Sequence, residues 1–182
     1  MKKSINFDMD GTIADLYGVP NWLEDLLHED VRPYAEARPL VNLSRLARLL
    51  NKLIENGYSV NVISWTSRNG SAEYNKAVEK VKIQWLETHL KSVKFSKIEI
   101  LPYGTPKELF GEGILFDDEE HNRKSWGEGA YTEKEIEIIG NFCALLEEMD
   151  EKTWNNLDDA MHGNLSLLTE TANDFYQLIG PD

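Results

Sequence analysis

The sequence predicts an α/β domain with a mainly parallel sheet flanked by helices. Short runs rich in β-branched residues alternate with amphipathic stretches in the order strand, helix, strand, helix, strand, strand. Three of these runs stop on polar side chains, Asp8, Ser64 and Asp117. That coincidence is expected where strands deliver residues to the carboxyl edge of an open sheet, the edge at which such sheets bind ligands. A chain of 182 residues, 41% hydrophobic and 10% aromatic, has the size and composition of one folded domain.

The run Ser4–Phe7 is the first predicted strand. Residues 20–29, PNWLEDLLHE, place Trp22, Leu23, Leu26 and Leu27 at helical spacing behind a proline suited to a first turn. From Pro39 onward Leu40, Leu43, Leu46, Leu49, Leu50 and Leu53 make the apolar stripe of a second helix, with Gly57 after Asn56 as its C-terminal stop. Residues 58–64, YSVNVIS, read as a strand ending on a hydroxyl. A third helix over 72–90 carries Ala77, Val81, Trp85, Leu86 and Leu90 on one face. Strands follow at Lys97–Leu101 and 113–116, the latter stopping at Asp117 and Asp118.

Residues 129–132 suggest a last short strand, and 133–149 a helix bearing Ile136, Ile139, Phe142 and Leu146. Leu157, Met161, Leu165, Leu168, Ala172 and Phe175 recur at helical intervals over 154–179, so extra C-terminal helices are expected from about 133 to 182. No repeat, linker or low-complexity tract divides the chain, and 1–182 is expected to be a single domain.

A formal net charge of -13 leaves no general cationic surface for a nucleic-acid polymer. It also repels small phosphate esters, so phosphate chemistry here requires local positive charge from a metal ion, a lysine or main-chain N–H groups. The lone cysteine, Cys143, can form neither an intramolecular disulfide nor a cysteine-rich zinc site. His28, His89, His121 and His162 are scattered without metal-ligand spacing. The start MKKSINFDMDG reaches acidic residues before any apolar signal region, and no apolar run approaches the roughly 20 residues of a membrane span. A cytoplasmic protein without membrane contact is the expectation, with an oligomer left open.

The strongest local signal is FDMDGTIADLY at residues 7–17. Asp8 and Asp10 flank one residue at a strand end, and a turn at Gly11 bends both carboxylates toward one small site. Two carboxylates so close repel unless one is protonated or a cation lies between them, and a hard, oxygen-seeking ion meets that need. Ser64 in VNVIS, Lys107 in YGTPKELF and the pair Asp117 and Asp118 in ILFDDEE follow in order.

This set resembles the four motifs of the haloacid dehalogenase-like (HAD) phosphatases, over about residues 4–132. The resemblance implies a Rossmann-like HAD fold, with Asp8 as the nucleophile that becomes an aspartyl-phosphate and Asp10 as general acid and base. Magnesium (Mg2+) would sit between Asp8, the main-chain carbonyl of Asp10 and Asp118, with Asp117 acting through water or from behind. Ser64 and Lys107 would hold the phosphoryl oxygens. Thr66 is the alternative to Ser64, and Lys97 the alternative to Lys107, although Lys97 precedes its strand whereas the family's lysine follows that strand. Gly11, Thr12, Trp22, Trp65 and Arg68 are the candidates for binding substrate.

Members of this family recognise substrates largely through cap insertions. Here only about 14–38 is free to form one, which predicts a minimal cap of one short helix and its loops. The small insertion, the paired acids and the short run from Lys107 to Asp117 look most similar to the 5'(3')-deoxyribonucleotidase-like branch. Tyr17, Trp22, Trp65 and Tyr103 lie near motif ends, where a ring can stack on a base. The expected partner is thus a small phosphorylated substrate, a nucleoside monophosphate first and a sugar phosphate as the alternative. A non-catalytic relative would be expected to have lost a motif acid, and all are present.

Overall fold

The structure is a computed structural model that describes residues 3–148, so the helices expected over 154–179 lie outside the described residues. Five parallel strands form the main sheet in the order β5-β4-β1-β6-β7. They are β1 (Ser4–Phe7), β4 (Ser59–Trp65), β5 (Lys97–Leu101), β6 (Ile114–Phe116) and β7 (Ala130–Tyr131). β1 is central, so its exit is flanked by those of β4 and β6. The predicted α/β architecture is the one observed, and the three polar strand ends converge because their strands are neighbours.

A buried polar ladder fixes the register. Asn6 of β1 is paired with Asn61 of β4 and accepts its amide at 2.9 Å, while donating to the carbonyls of Glu112 and Ile114 at 2.8 Å. A one-residue slip would strand these amides without partners, a cost that an apolar pair would not impose. On either side of this line the core packs apolar rings, with Phe7 stacked on Phe116 at 5.3 Å.

Between β1 and β4 lie two layers of connection. The first is the insertion: β2 (Ala14–Asp15) and β3 (Arg38–Pro39) close an antiparallel ribbon at its base, and α1 (Trp22–Leu27) and α2 (Arg32–Glu36) form its body. The cap therefore has two short helices where one was expected. The second is α3 (Leu43–Glu55), which buries Leu43, Leu46, Ala47, Leu50 and Leu53 as its leucine stripe demands. Asn42 caps its first turn by accepting from the Arg45 N–H at 3.0 Å, and Gly57, with φ +83°, follows its end in the left-handed conformation.

α4 (Ala72–His89) connects β4 to β5 and is rotated about one position from the predicted face. Tyr74, Val78, Lys82, Trp85 and Leu86 are buried, whereas Ala77 and Val81 are only partly covered. α5 (Glu120–Trp126) follows the paired aspartates. The stretch predicted as one helix from 133 begins as a 3-10 turn over Glu133–Glu137, started by a Thr132–Glu135 capping box, and becomes α6 (Ile138–Glu148) only afterwards. Among the described residues no helix is long and apolar enough to cross a membrane.

Candidate active site

The site begins where β1 ends. The Asp8 N–H still donates to Phe116 of β6 at 2.9 Å, and the chain then reverses as the N–H groups of Thr12, Ile13 and Ala14 all converge on the Met9 carbonyl at 2.9–3.2 Å. Gly11 has φ +75°, and a Cβ there would lie 2.3 Å from Oδ2 of Asp118 and 2.9 Å from the Tyr17 ring. Both the backbone and the space thus require glycine. Thr12, expected at the substrate, is instead fully buried; its hydroxyl accepts from the Asp118 N–H at 3.1 Å and faces Oδ1 of Asp118 at 3.3 Å. It joins the first acidic turn to the last.

Asp8, Asp117 and Asp118 bring carboxylate oxygens within 4.8 Å of one another. Lys107, delivered by a 3-10 turn after β5, is 1% exposed and reaches Asp8 at 3.1 Å and Asp117 at 2.6 Å. Asp117 is saturated: it also accepts from the Glu119 N–H at 2.9 Å and from the Asn122 amide at 3.1 and 3.2 Å. Burial, then the charge of Asp8, pushes the Asp117 carboxyl up to about 6 against the pull of Lys107. Burial, then Asp8 and Asp117, pushes Asp118 up to about 7. Arg123 of α5 holds the main-chain carbonyls of both residues at 2.7 and 2.6 Å.

Oδ1 of Asp8 is buried with no hydrogen-bond partner among the described residues. An orphaned carboxylate oxygen beside two acids of raised pKa, in a cluster with no cysteine or histidine, fits a hard divalent cation with oxygen ligands. Asp118 offers such an ion its carboxylate, while Asp117 is committed to Lys107 and Asn122.

Asp10 lies on the other side of Asp8. Its Oδ2 accepts from Nζ of Lys82 at 2.6 Å, and Lys82 also donates to Oγ of Ser64 at 3.0 Å and to the Trp65 carbonyl at 2.6 Å. Burial raises the pKa of Asp10, with Lys82 opposing. Sequence reasoning missed Lys82, although one signal was present: it follows Val78 by four residues and precedes Trp85 by three, on the stripe that α4 buries. Both second-motif candidates, Ser64 and Thr66, line the site, and Ser64 is the one that meets Lys82. Lys97 is turned away toward Glu99 and the Phe110 carbonyl, which leaves Lys107 as the lysine at Asp8.

A cavity of about 430 Å³ opens over Asp8 and Asp10 between the sheet edge and the insertion. It brings together Trp22, Trp65 and Arg68 with Ser64, and Tyr17, Tyr34 and Tyr103 complete its aromatic walls. Trp22 meets Tyr17 edge-on at 5.1 Å. Trp65 is fixed by a hydrogen bond from Nε1 to the Thr105 carbonyl at 2.8 Å, with Lys107 4.9 Å from its ring, Tyr103 at 4.9 Å and Arg68 stacked 5.5 Å from Tyr103. No residue of α1 is buried. Leu23 and Leu27, at 54% and 73% exposure, stand at the cavity mouth.

No protein-family model matches the chain, and no curated protein does. Among solved structures, a D,D-heptose 1,7-bisphosphate phosphatase from Burkholderia thailandensis superposes with a TM-score of 0.49 at 13% identity, over 81% of this chain and 100% of that one. A likeness at that level decides neither activity nor substrate, which have to be argued from the site.

Proposed function

We propose that this chain is a magnesium-dependent phosphomonoester hydrolase of the haloacid dehalogenase-like type, working through an aspartyl-phosphate on Asp8. The observation that carries the reading is the state of Asp8: Lys107 holds Oδ2 at 3.1 Å, while Oδ1 is buried without a partner beneath the cavity. A carboxylate so held is an oriented nucleophile.

One carboxylate oxygen of Asp8 attacks phosphorus while the other is left to the cation, and the bond from phosphorus to the leaving oxygen breaks with its electron pair. That oxygen takes a proton from Asp10, whose raised pKa suits it to arrive protonated. The Asp10 carboxylate then takes a proton from water as the water attacks the same phosphorus. The bond to Asp8 breaks, inorganic phosphate leaves and both acids are restored. Lys107 and Ser64 face the phosphoryl oxygens and offset the charge that spreads over them. Asp8, Asp118 and the main-chain carbonyl of Asp10 would hold magnesium, which when bound would neutralise charge on the transferring group.

The substrate reading is a nucleoside monophosphate, as in the deoxyribonucleotidase-like branch. Its support is the cavity, whose volume suits a ligand of that size and whose walls include the rings of Trp22 and Trp65. A phosphate-release screen over nucleoside monophosphates, sugar phosphates and p-nitrophenyl phosphate tests both levels. Expected is magnesium-dependent release that chelation abolishes, with nucleotides turned over best. Release from no ester would overturn the activity, and a preference for sugar phosphates would overturn the substrate.

A further inference from the structure

Lys82 sits in the middle of α4 at 1% exposure, and nothing in the proposed chemistry so far uses it. An ammonium has three N–H donors. All are committed here, to Oδ2 of Asp10 at 2.6 Å, Oγ of Ser64 at 3.0 Å and the Trp65 carbonyl at 2.6 Å, and the Tyr34 ring of α2 covers the group at 5.1 Å. No donor remains for substrate. A buried charge is costly even when paired, and an apolar side chain would fill the stripe between Val78 and Trp85 more cheaply. What the lysine provides instead is a fixed distance between three parts of the site: the acidic turn, the end of β4 and the insertion.

We propose that Lys82 is a positioning residue for Asp10. By committing Oδ2 it leaves Oδ1 for the leaving-group oxygen of an ester in the cavity that Asp10 lines, and it ties that alignment to Ser64 and to Tyr34 of α2. The inference rests on the reading of Asp10 as general acid.

The test is kcat/KM of Lys82→Met and Lys82→Gln, with magnesium, on an alkyl phosphate and on p-nitrophenyl phosphate. This parameter covers the steps up to departure of the leaving group. An alkoxide needs the proton from Asp10 to leave, whereas p-nitrophenolate does not. Misplacing a reacting group by about 1 Å costs about 10²-fold, so Lys82→Met should lose about 10²-fold on the alkyl ester and less than about 3-fold on the aryl ester. Lys82→Gln, which keeps two N–H donors on a side chain one atom shorter, should recover part of the loss. Placed in an Asp10→Asn background, either substitution should cost no more than the less than about 3-fold seen on the aryl ester, because Asp10 is already gone and only the contact to Ser64 is left to lose.

Equal losses on the two esters, additive losses with Asp10→Asn, or unchanged rates would each overturn the proposal. Should Lys82→Met fail to fold by circular dichroism, Lys82→Gln and its double variant carry the same comparisons. Wild-type protein inactive on both esters would instead bring down the phosphatase reading itself.

Discussion

The two acids of the first motif lie two residues apart, and each is held by a buried lysine, but the two halves of the site are built differently. On the Asp8 side every partner comes from a strand end or the turn just after one: Lys107, Asp117 and Asp118 all follow β5 or β6, and Asp117 is fully buried. On the Asp10 side the carboxylate is 19% exposed, its lysine comes from the middle of a helix, and a ring of the insertion covers that lysine. Sheet register sets the first half; helix phase and the packing of the insertion set the second. Asp8 is therefore set among strand ends, and Asp10 between a helix and the insertion.

Replacing each lysine by methionine separates the halves most sharply. Lys107→Met leaves Asp8 and Asp117 facing each other without a cation, and breaking a buried ion pair costs about 3–5 kcal/mol. Removing one such donor from the transferring group lowers kcat about 10²–10³-fold, here with the same loss for alkyl and aryl esters. Lys82→Met should destabilise less, because Asp10 can turn to water. Urea melts of the two variants check the ranking; a larger loss for Lys82→Met would contradict it.

The lid is probed next. Trp22→Ala and Trp65→Ala remove one stacking face each, worth roughly 1–3 kcal/mol, so kcat/KM for a nucleoside monophosphate should fall about 5- to 150-fold. Turnover of p-nitrophenyl phosphate should scarcely change. Equal losses on both substrates would make these rings supports of the site rather than contacts to a base.

The smallest effect is one of pH. Asp117 and Asp118 bind protons more tightly folded, at about 6 and about 7, than at the ordinary 3.8. Their contribution to stability is full below the ordinary value and is lost progressively as pH rises from there through 6 to 7. Metal-free protein should therefore show a contribution to Tm that declines over this interval. The Tm gained on adding magnesium should grow over the same interval, since the ion competes with those protons. A magnesium shift independent of pH would remove Asp118 from the ligands.

The halves also differed in how far the sequence revealed them. Asp8 and Asp117 could be read because a strand is short, apolar and sharply ended, so the first polar residue after it has a known place, whereas Lys107 and Asp118 were placed by the order of the motifs that the chain resembles. Lys82 was passed over because a lysine within a helix normally lies on the solvated face, although Trp85 and Leu86 of the predicted stripe follow it by three and four residues. The contact of Thr12 with Asp118 was not legible, because a hydroxyl beside such a turn serves ligand or neighbouring loop equally well, and only the fold brings Asp118 to it. The insertion was legible in length but not in form. Its leucines follow a helical period, yet Leu23 and Leu27 face the cavity mouth, and a lid that covers a ligand uses the same residue types as a core.

The central claim, that Asp8 carries the phosphoryl group, is tested most directly by trapping it. Asp10→Asn should still transfer phosphoryl from p-nitrophenyl phosphate, whose leaving group needs no proton, but should hydrolyse the product about 10²–10⁴-fold more slowly. With magnesium this variant should give a burst of p-nitrophenolate matching the enzyme concentration, and peptide mapping after acid quench should find one phosphoryl group, on Asp8. Asp8→Asn should give neither burst nor turnover. Turnover that persists in Asp8→Asn, or a burst that leaves Asp8 unmodified, would contradict the account.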